Sequence, residues 1–197
     1  MKLPPPVHDA RIEPRRPAGF TLVELLITVV VLSILLGLAV PSFRSFMQND
    51  QQWVQQNNLV LGLNTARSEA IKDDISGAAQ ICSSNNGTTC TATAWDRGWI
   101  VLGVDPVNPQ NAPKRLQVVG ALPTGTTLTE ASNNFSITFM SNGTLGALAN
   151  AEPAVAFKMC DVRGPAHARY LQVTLMGRVM ASPVVGQDLN GVALTCP

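Results

Sequence analysis

One carboxylate, Glu24, stands near the start of an otherwise apolar run over residues 20–40. As a helix rising ~1.5 Å per residue, a run of this length spans ~32 Å, enough to cross the hydrocarbon core of a bilayer. A charged side chain inside such a segment costs roughly 2.5–3.5 kcal/mol, so Glu24 needs a functional reason. Thr21 and Glu24 also have the spacing of a capping box, and a carboxylate suits a helix N-terminus. Ahead of the run, Lys2, Arg11, Arg15 and Arg16 outnumber Asp9 and Glu13. That positive excess keeps the N-terminal end cytoplasmic and directs the rest of the chain outward.

The stretch Gly19, Phe20, Thr21, Leu22, Val23, Glu24, Leu25, Leu26 resembles the processing site of type IV prepilins and type II secretion pseudopilins. In that family a prepilin peptidase cuts after the glycine and methylates the new N-terminal phenylalanine. The resemblance implies a leader over residues 1–19, cleavage between Gly19 and Phe20, and N-methylation of Phe20. It also implies assembly roles for Glu24 and for the helix-kinking Pro41. The physics agrees with the assembly role of Glu24. Cleavage frees an amine at Phe20, and in a helical bundle that amine can meet Glu24 of a neighbouring subunit. Either charge left alone in an apolar bundle would cost several kcal/mol. A competing reading is an ordinary secretory signal cut after Ala39, where Gly37 and Ala39 make a small-x-small site. Glu24 within the apolar stretch argues against it.

Past Pro41 the pattern predicts a helix continuing to about residue 73. Phe46, Trp53 and Val60 recur every seven residues, and Leu63, Ala66 and Ala70 extend an apolar stripe. Asp73, Asp74 and Gly77 end it. Strand-like runs follow at 78–82, 99–104, 115–119, 135–140, 155–160 and 170–175. Asn142-Gly143 reads as a hairpin turn, Gly177-Arg178 as another, and Pro106, Pro109 and Pro113 mark a loop. Several of these elements are similar to the GspH/FimT group of the same family. They are Arg67-Ser68-Glu69-Ala70, the pair Trp95 and Trp99 around Gly98, Phe139 with Gly143, and Gly177-Arg178 ahead of the late Cys196. Their shared order is the stronger part of the signal.

The four cysteines, Cys82, Cys90, Cys160 and Cys196, all follow the apolar run. In an outward-facing, oxidising compartment disulfides are the default. Three pairings are open, and the reading favours Cys82 with Cys90, across a turn-rich segment, and Cys160 with Cys196, tying down the tail. Zinc is the weaker alternative, because no C-x-x-C occurs and only His167 follows the leader.

Nothing in the chain reads as an enzyme. There is no nucleophile-elbow motif, phosphate-binding glycine loop or dinucleotide fingerprint. Without residues 1–19 the chain carries ten basic and eleven acidic residues, so its overall charge does not point to nucleic acid. Locally, Lys158, Arg163, Arg169 and Arg178 face only Asp161. Some FimT-like pilins bind DNA through a Gly-Arg-x-Arg element, of which Gly177-Arg178-Val179-Met180 keeps the first arginine and lacks the second. Solvated surface charge is the favoured reading of these four cations. Trp53, Trp95 and Trp99 read as core or helix–sheet packing, and Arg67 and Glu69 as helix-to-domain contacts.

The resemblance implies an α+β, pilin-like minor pilin or pseudopilin. Its parts are a leader at 1–19, a helix at 20–73 with 20–40 in the membrane, and a β-rich domain at 74–197. It implies a single-pass inner-membrane protein with a periplasmic C-terminal domain, later part of a filament. The implied partners are other pilins, contacted through the N-terminal helix, with the prepilin peptidase as processing enzyme; no cofactor is implied. A type IV pilus subunit is the first reading, a type II secretion pseudopilin the alternative, and a pilus-borne DNA receptor a further one.

Overall fold

A computed structural model describes residues 19–72, 78–103, 113–148 and 154–196. The expected leader up to residue 18, the helix stop at 73–77 and most of the proline-bearing loop lie outside the described residues. The chain divides into two compact units between Ser45 and Phe46. Helix α1 covers Leu22–Lys72. Eight described strands follow: β1 Ala79–Ser83, β2 Trp99–Gly103, β3 Lys114–Val119, β4 Thr127–Glu130, β5 Ser136–Phe139, β6 Ala154–Cys160, β7 Arg169–Thr174 and β8 Val179–Ala181.

The strands form two antiparallel sheets, ordered β3-β2-β1-β5 and β4-β6-β7-β8. Alternation along each strand decides which side chains face inward. Ile81, Trp99, Val101, Ile137 and Phe139 come from the first sheet, and Leu128, Val155, Phe157, Leu171 and Val173 from the second. They share one core with Leu59, Leu63, Ala66 and Ala70 of α1. Trp95, on a single 3₁₀ turn before β2, meets Phe157 edge to face at 5.0 Å and links the two sheets. On the other face of the first sheet, Cys82, Ile100 and Leu102 make a small second cluster.

The buried face of α1 differs from the expected seven-residue stripe. Buried positions are Gln52, Gln56, Leu59, Gly62, Leu63, Ala66 and Ala70. Phe46 and Trp53 are 65% and 53% exposed, so Trp53 is not a core residue. The reason lies in tertiary contacts. The two glutamines sit on the face covered by the second sheet, where Gln56 donates to Tyr170 O at 3.4 Å. A pattern scored on hydrophobicity passes over them. At Gly62 the helix comes so near the first sheet that a Cβ would stand 3.0 Å from Ile81 Cδ1 and 3.1 Å from Gln117 Oε1.

Arg67 fastens the far end of α1. Its Nε donates to Gly143 O at 3.0 Å and its Nη2 to Met176 O at 3.1 Å. Gly143 is in the turn after β5 and Gly177 in the β7–β8 turn, with φ of 77° and 71°. A Cβ at Gly177 would overlap Gly143 O. The two turns thus need glycine for conformation and for mutual approach. Three elements separated in sequence meet here: Arg67, the Phe139-to-Gly143 turn and Gly177-Arg178.

Disulfides join Cys82 to Cys90 and Cys160 to Cys196, with Cα separations of 5.5 and 6.0 Å. The first closes the loop at the outer face of the first sheet. The second ties the C-terminal tail to the end of β6.

Arg67→Ala removes a charged donor from two carbonyls and is expected to cost about 2–3 kcal/mol in chemical unfolding followed by near-UV circular dichroism. Gly177→Ala is expected to destabilise by more than about 1 kcal/mol, since both conformation and space oppose a Cβ. The two disulfides span 36 and 8 residues. Chain entropy makes removal of Cys160–Cys196 costlier than removal of Cys82–Cys90 by about 1.3 kcal/mol. Unfolding midpoints of the two double-serine variants measure that difference.

Candidate functional site

The N-terminal unit shows how residues 19–45 are built. Thr21 begins the helix: its Oγ1 accepts the Glu24 N–H at 3.2 Å, and its carbonyl accepts the Leu25 N–H at 3.1 Å. This side-chain cap satisfies one of the free N–H groups of the first turn. Thr28 Oγ1 donates to Leu25 O at 2.8 Å and Ser33 Oγ to Val30 O at 2.7 Å. Both hydroxyls are therefore paired within the helix and need no water. Residues 22–44 are exposed all round, and the apolar stretch is long enough to span a bilayer. A helix apolar on every side belongs in lipid or inside a bundle. Among the described residues nothing bonds to the Glu24 carboxylate. Helical backbone runs through Pro41, so no local melting occurs there; the ring removes only one N–H, leaving Gly37 O without its usual donor. Gly19 and Phe20 lie just before the helix, exposed.

The four cations singled out from the sequence, Lys158, Arg163, Arg169 and Arg178, do not share one face. Arg163, in the turn between β6 and β7, sends Nε and Nη2 to Asp161 Oδ2 at 2.9 and 2.6 Å, and Nη1 to Asn49 Oδ1 at 2.7 Å. Arg169, at the start of β7, sits 5.4 Å over the Trp53 ring and donates Nη1 to Gln56 Oε1 at 3.3 Å. Burial lowers its pKa from the ordinary arginine value, and the nearby Arg163 charge lowers it further. These two arginines thus form one cluster against α1. Lys158 pairs in register with Tyr170 and points to the other face of the sheet. There it lines a cavity of about 360 Å³ beneath the tail residues Ala193, Leu194 and Thr195. Burial, then the charge of Asp188, raises the Tyr170 phenol above its ordinary pKa. Arg178 is exposed in the β7–β8 turn, at the opposite end of β7 from Arg163 and Arg169. That is ~17 Å away along six residues of strand.

Sequence reading missed the partners in the arginine cluster. Asn49, Gln52, Trp53 and Gln56 are spaced to lie on one helical face, and that polar spacing within an otherwise apolar stripe was the available signal.

Comparison with known proteins agrees with this architecture. The family model described as "Type II transport protein GspH" matches residues 55–177, and that described as "Prokaryotic N-terminal methylation motif" matches residues 14–40. No curated protein matches the chain. A crystal structure of the type IV minor pilin FimU of Pseudomonas aeruginosa is 24% identical, covering 70% of this chain and 91% of that one with a TM-score of 0.50. A second crystal form of the same pilin covers 66% and 92%, at the same identity and a TM-score of 0.46. At 24% identity the first likeness is one of fold: a long apolar N-terminal helix joined to antiparallel sheets. Since the matched domain takes up more than half of the chain and the methylation-motif segment precedes it, the chain belongs to the GspH family of pilin-like proteins.

Proposed function

We propose that the chain is a minor pilin, made as a membrane-anchored precursor and assembled into a type IV pilus through its N-terminal helix. The observation that carries this reading is the uncommitted carboxylate of Glu24, whose backbone N–H is capped by Thr21 in the first turn of a helix that is apolar on every side. Cleavage after Gly19 would free the Phe20 amine four residues before it. An amine and a carboxylate drawn from two subunits neutralise each other inside an apolar bundle, and the pairing fixes the register of one subunit on the next. The prepilin peptidase is the processing partner, and the methylation motif at residues 14–40 supports that step. The domain at 74–197 supplies surface, not chemistry, and would lie in the periplasm before assembly.

A type II secretion pseudopilin is the second reading, favoured by the matched family's description as a transport protein. It uses the same N-terminal chemistry, so only the choice of machine separates the two. The DNA-receptor reading has less behind it, because Arg178 stands apart from Arg163 and Arg169, whose guanidinium groups already face Asp161 and Trp53.

Intact mass of the membrane-extracted protein is expected to begin at Phe20 with one added methyl group; a mass beginning at Val40 would identify an ordinary secretory signal instead. Glu24→Ala is expected to leave the processed protein in the membrane yet fail to restore filaments in a deletion strain. In that strain, sheared pili and secreted proteins are measured in the same cultures. Lost pili with normal secretion supports the pilus, whereas intact pili with blocked secretion assigns the chain to the secretion machine.

A further inference from the structure

Contacts between α1 and the second sheet fix which end of that sheet lies near the start of the domain. Arg169, at the start of β7, meets Trp53 and Gln56, and Met176, just past the end of β7, meets Arg67. Trp53 to Arg67 is 14 residues of helix, ~21 Å, and Arg169 to Met176 is seven residues of strand, ~23 Å. Strand and helix therefore run the same way. Strands β6 and β8 are antiparallel to β7, so the β6–β7 connection and the segment after β8 both lie at the Arg169 end, where α1 enters this unit. Arg163 in that connection reaches one helical turn further back, to Asn49. This end is apolar. Val162 is 74% exposed, and Pro165, Ala166, Pro183, Val184 and Val185 are exposed along the same end. Backbone bonds hold the two segments together: the Gly186 N–H donates to Ala168 O at 2.7 Å and the Ser182 N–H to Tyr170 O at 3.0 Å. Exposed apolar side chains scattered singly are ordinary, but several gathered along one end of a sheet mark an interaction surface. The end also carries little charge. Asp161 and Arg163 neutralise each other at 2.6 Å, and His167 is the one other ionisable side chain in residues 161–168 and 182–186.

We infer that this end of the domain rests on the surface of the bilayer that holds the N-terminal helix, with Val162, Val184 and Val185 set among the lipid headgroups. The inference rests on the membrane-anchored reading proposed above. What selects lipid over another protein is the tether. Asn49, the helix position that Arg163 reaches, comes nine residues after Val40, the last residue of the apolar run. As helix those nine residues span only ~14 Å. The interfacial layer outside the hydrocarbon core takes up roughly 5–8 Å of that distance. Spanning helices tilt by ~20° on average, which lowers one side of an attached domain further. Phe46 and Met47, both exposed, continue the apolar character between the run and this end. A surface that is apolar, nearly uncharged and tethered this close gains by burying its apolar area at the headgroup boundary. Docking of this kind sets how the domain stands on the membrane before the helix is drawn out into a filament. It holds for either machine, because both start from the same anchored precursor.

The test uses the full chain with isotope-labelled valine and leucine methyl groups, one copy per nanodisc of phosphatidylethanolamine and phosphatidylglycerol, read by NMR. A nitroxide on the lipid headgroup is expected to remove more than half of the Val162, Val184 and Val185 methyl signals. It is expected to leave Leu175, which is also exposed but at the opposite end of β7, nearly intact. A nitroxide deep on the acyl chain checks the span independently, through Val31 and Leu32. A broadened span with untouched signals at Val162, Val184 and Val185 would overturn this inference alone. An unbroadened span would overturn the membrane anchor and this inference with it. Val162→Glu combined with Val184→Glu changes exposed positions only, so near-UV circular dichroism should not move, while the headgroup effect on Val185 is expected to fall at least threefold. If that variant does not fold, Val162→Glu alone is read at Val184 and Val185. An undiminished effect would mean that the tether alone brings this end near the lipid, and docking would be overturned. Shifts of Val162 and Val184 that need two copies per disc, with no headgroup effect at one copy, would give the surface to a neighbouring subunit and overturn the bilayer as its occupant.

Discussion

At Gly62 the backbone of α1 runs so close to the first sheet that the Ile81 and Gln117 side chains would crowd a Cβ there. That approach governs the rest of the domain. It places Leu59 and Leu63, with the small side chains of Ala66 and Ala70, in the core that the two sheets share. Without the helix, the inner faces of two four-stranded sheets would have no common cover. With it, about one turn of helix beyond Gly62 suffices to bring Arg67 to the carbonyls of Gly143 and Met176. Interiors packed to crystal-like density tolerate little change in shape, so the small residues on this face matter as much as the large ones.

The same logic explains why glycine recurs where these elements meet. Gly143 and Gly177 each adopt a left-handed conformation and also lie against one another. Arg67 takes up carbonyls that those turns would otherwise leave to water. A planar, multi-donor guanidinium can serve two acceptors on separate strands, which a lysine ammonium does less well. Short elements spread over more than a hundred residues of sequence therefore belong to one structural joint.

Much of this architecture was legible in the sequence, and unevenly so. The N-terminal segment was the clearest part, because its information is local: Thr21, Glu24 and the apolar run act within a few turns of one helix. Six strands were readable from alternation or apolar runs, with bounds within a residue or two of those found. Strand β4 was not, since Thr127, Thr129 and Glu130 look polar and the strand exists because β6 pairs with it. Strand β8 is three residues long and sits where a turn alone was read. Trp53 was misread for a related reason. Its spacing from Phe46 and Val60 suggested a core stripe, but the second sheet covers the neighbouring face, which bears Gln52 and Gln56. Hydrophobicity patterns report what a residue tends to do; which face is covered depends on strands far along the chain.

Polar groups on that covered face have a physical role in keeping the domain in one arrangement. Gln56 accepts from Arg169 and donates to Tyr170 O, while the exposed Asn49 accepts from Arg163, so two positions on α1 are matched by hydrogen bonds to β7 and to the turn before it. An apolar helix face can slide along an apolar sheet at little cost. A paired, buried amide such as Gln56 resists that movement, because each shift leaves its donor or acceptor unpaired. Helix α1 thus combines two kinds of constraint: small apolar residues that set its distance from the sheets, and amides that set its position along them. The Asn49 and Gln56 contacts hold this part of α1 in register with β7 and the turn before it.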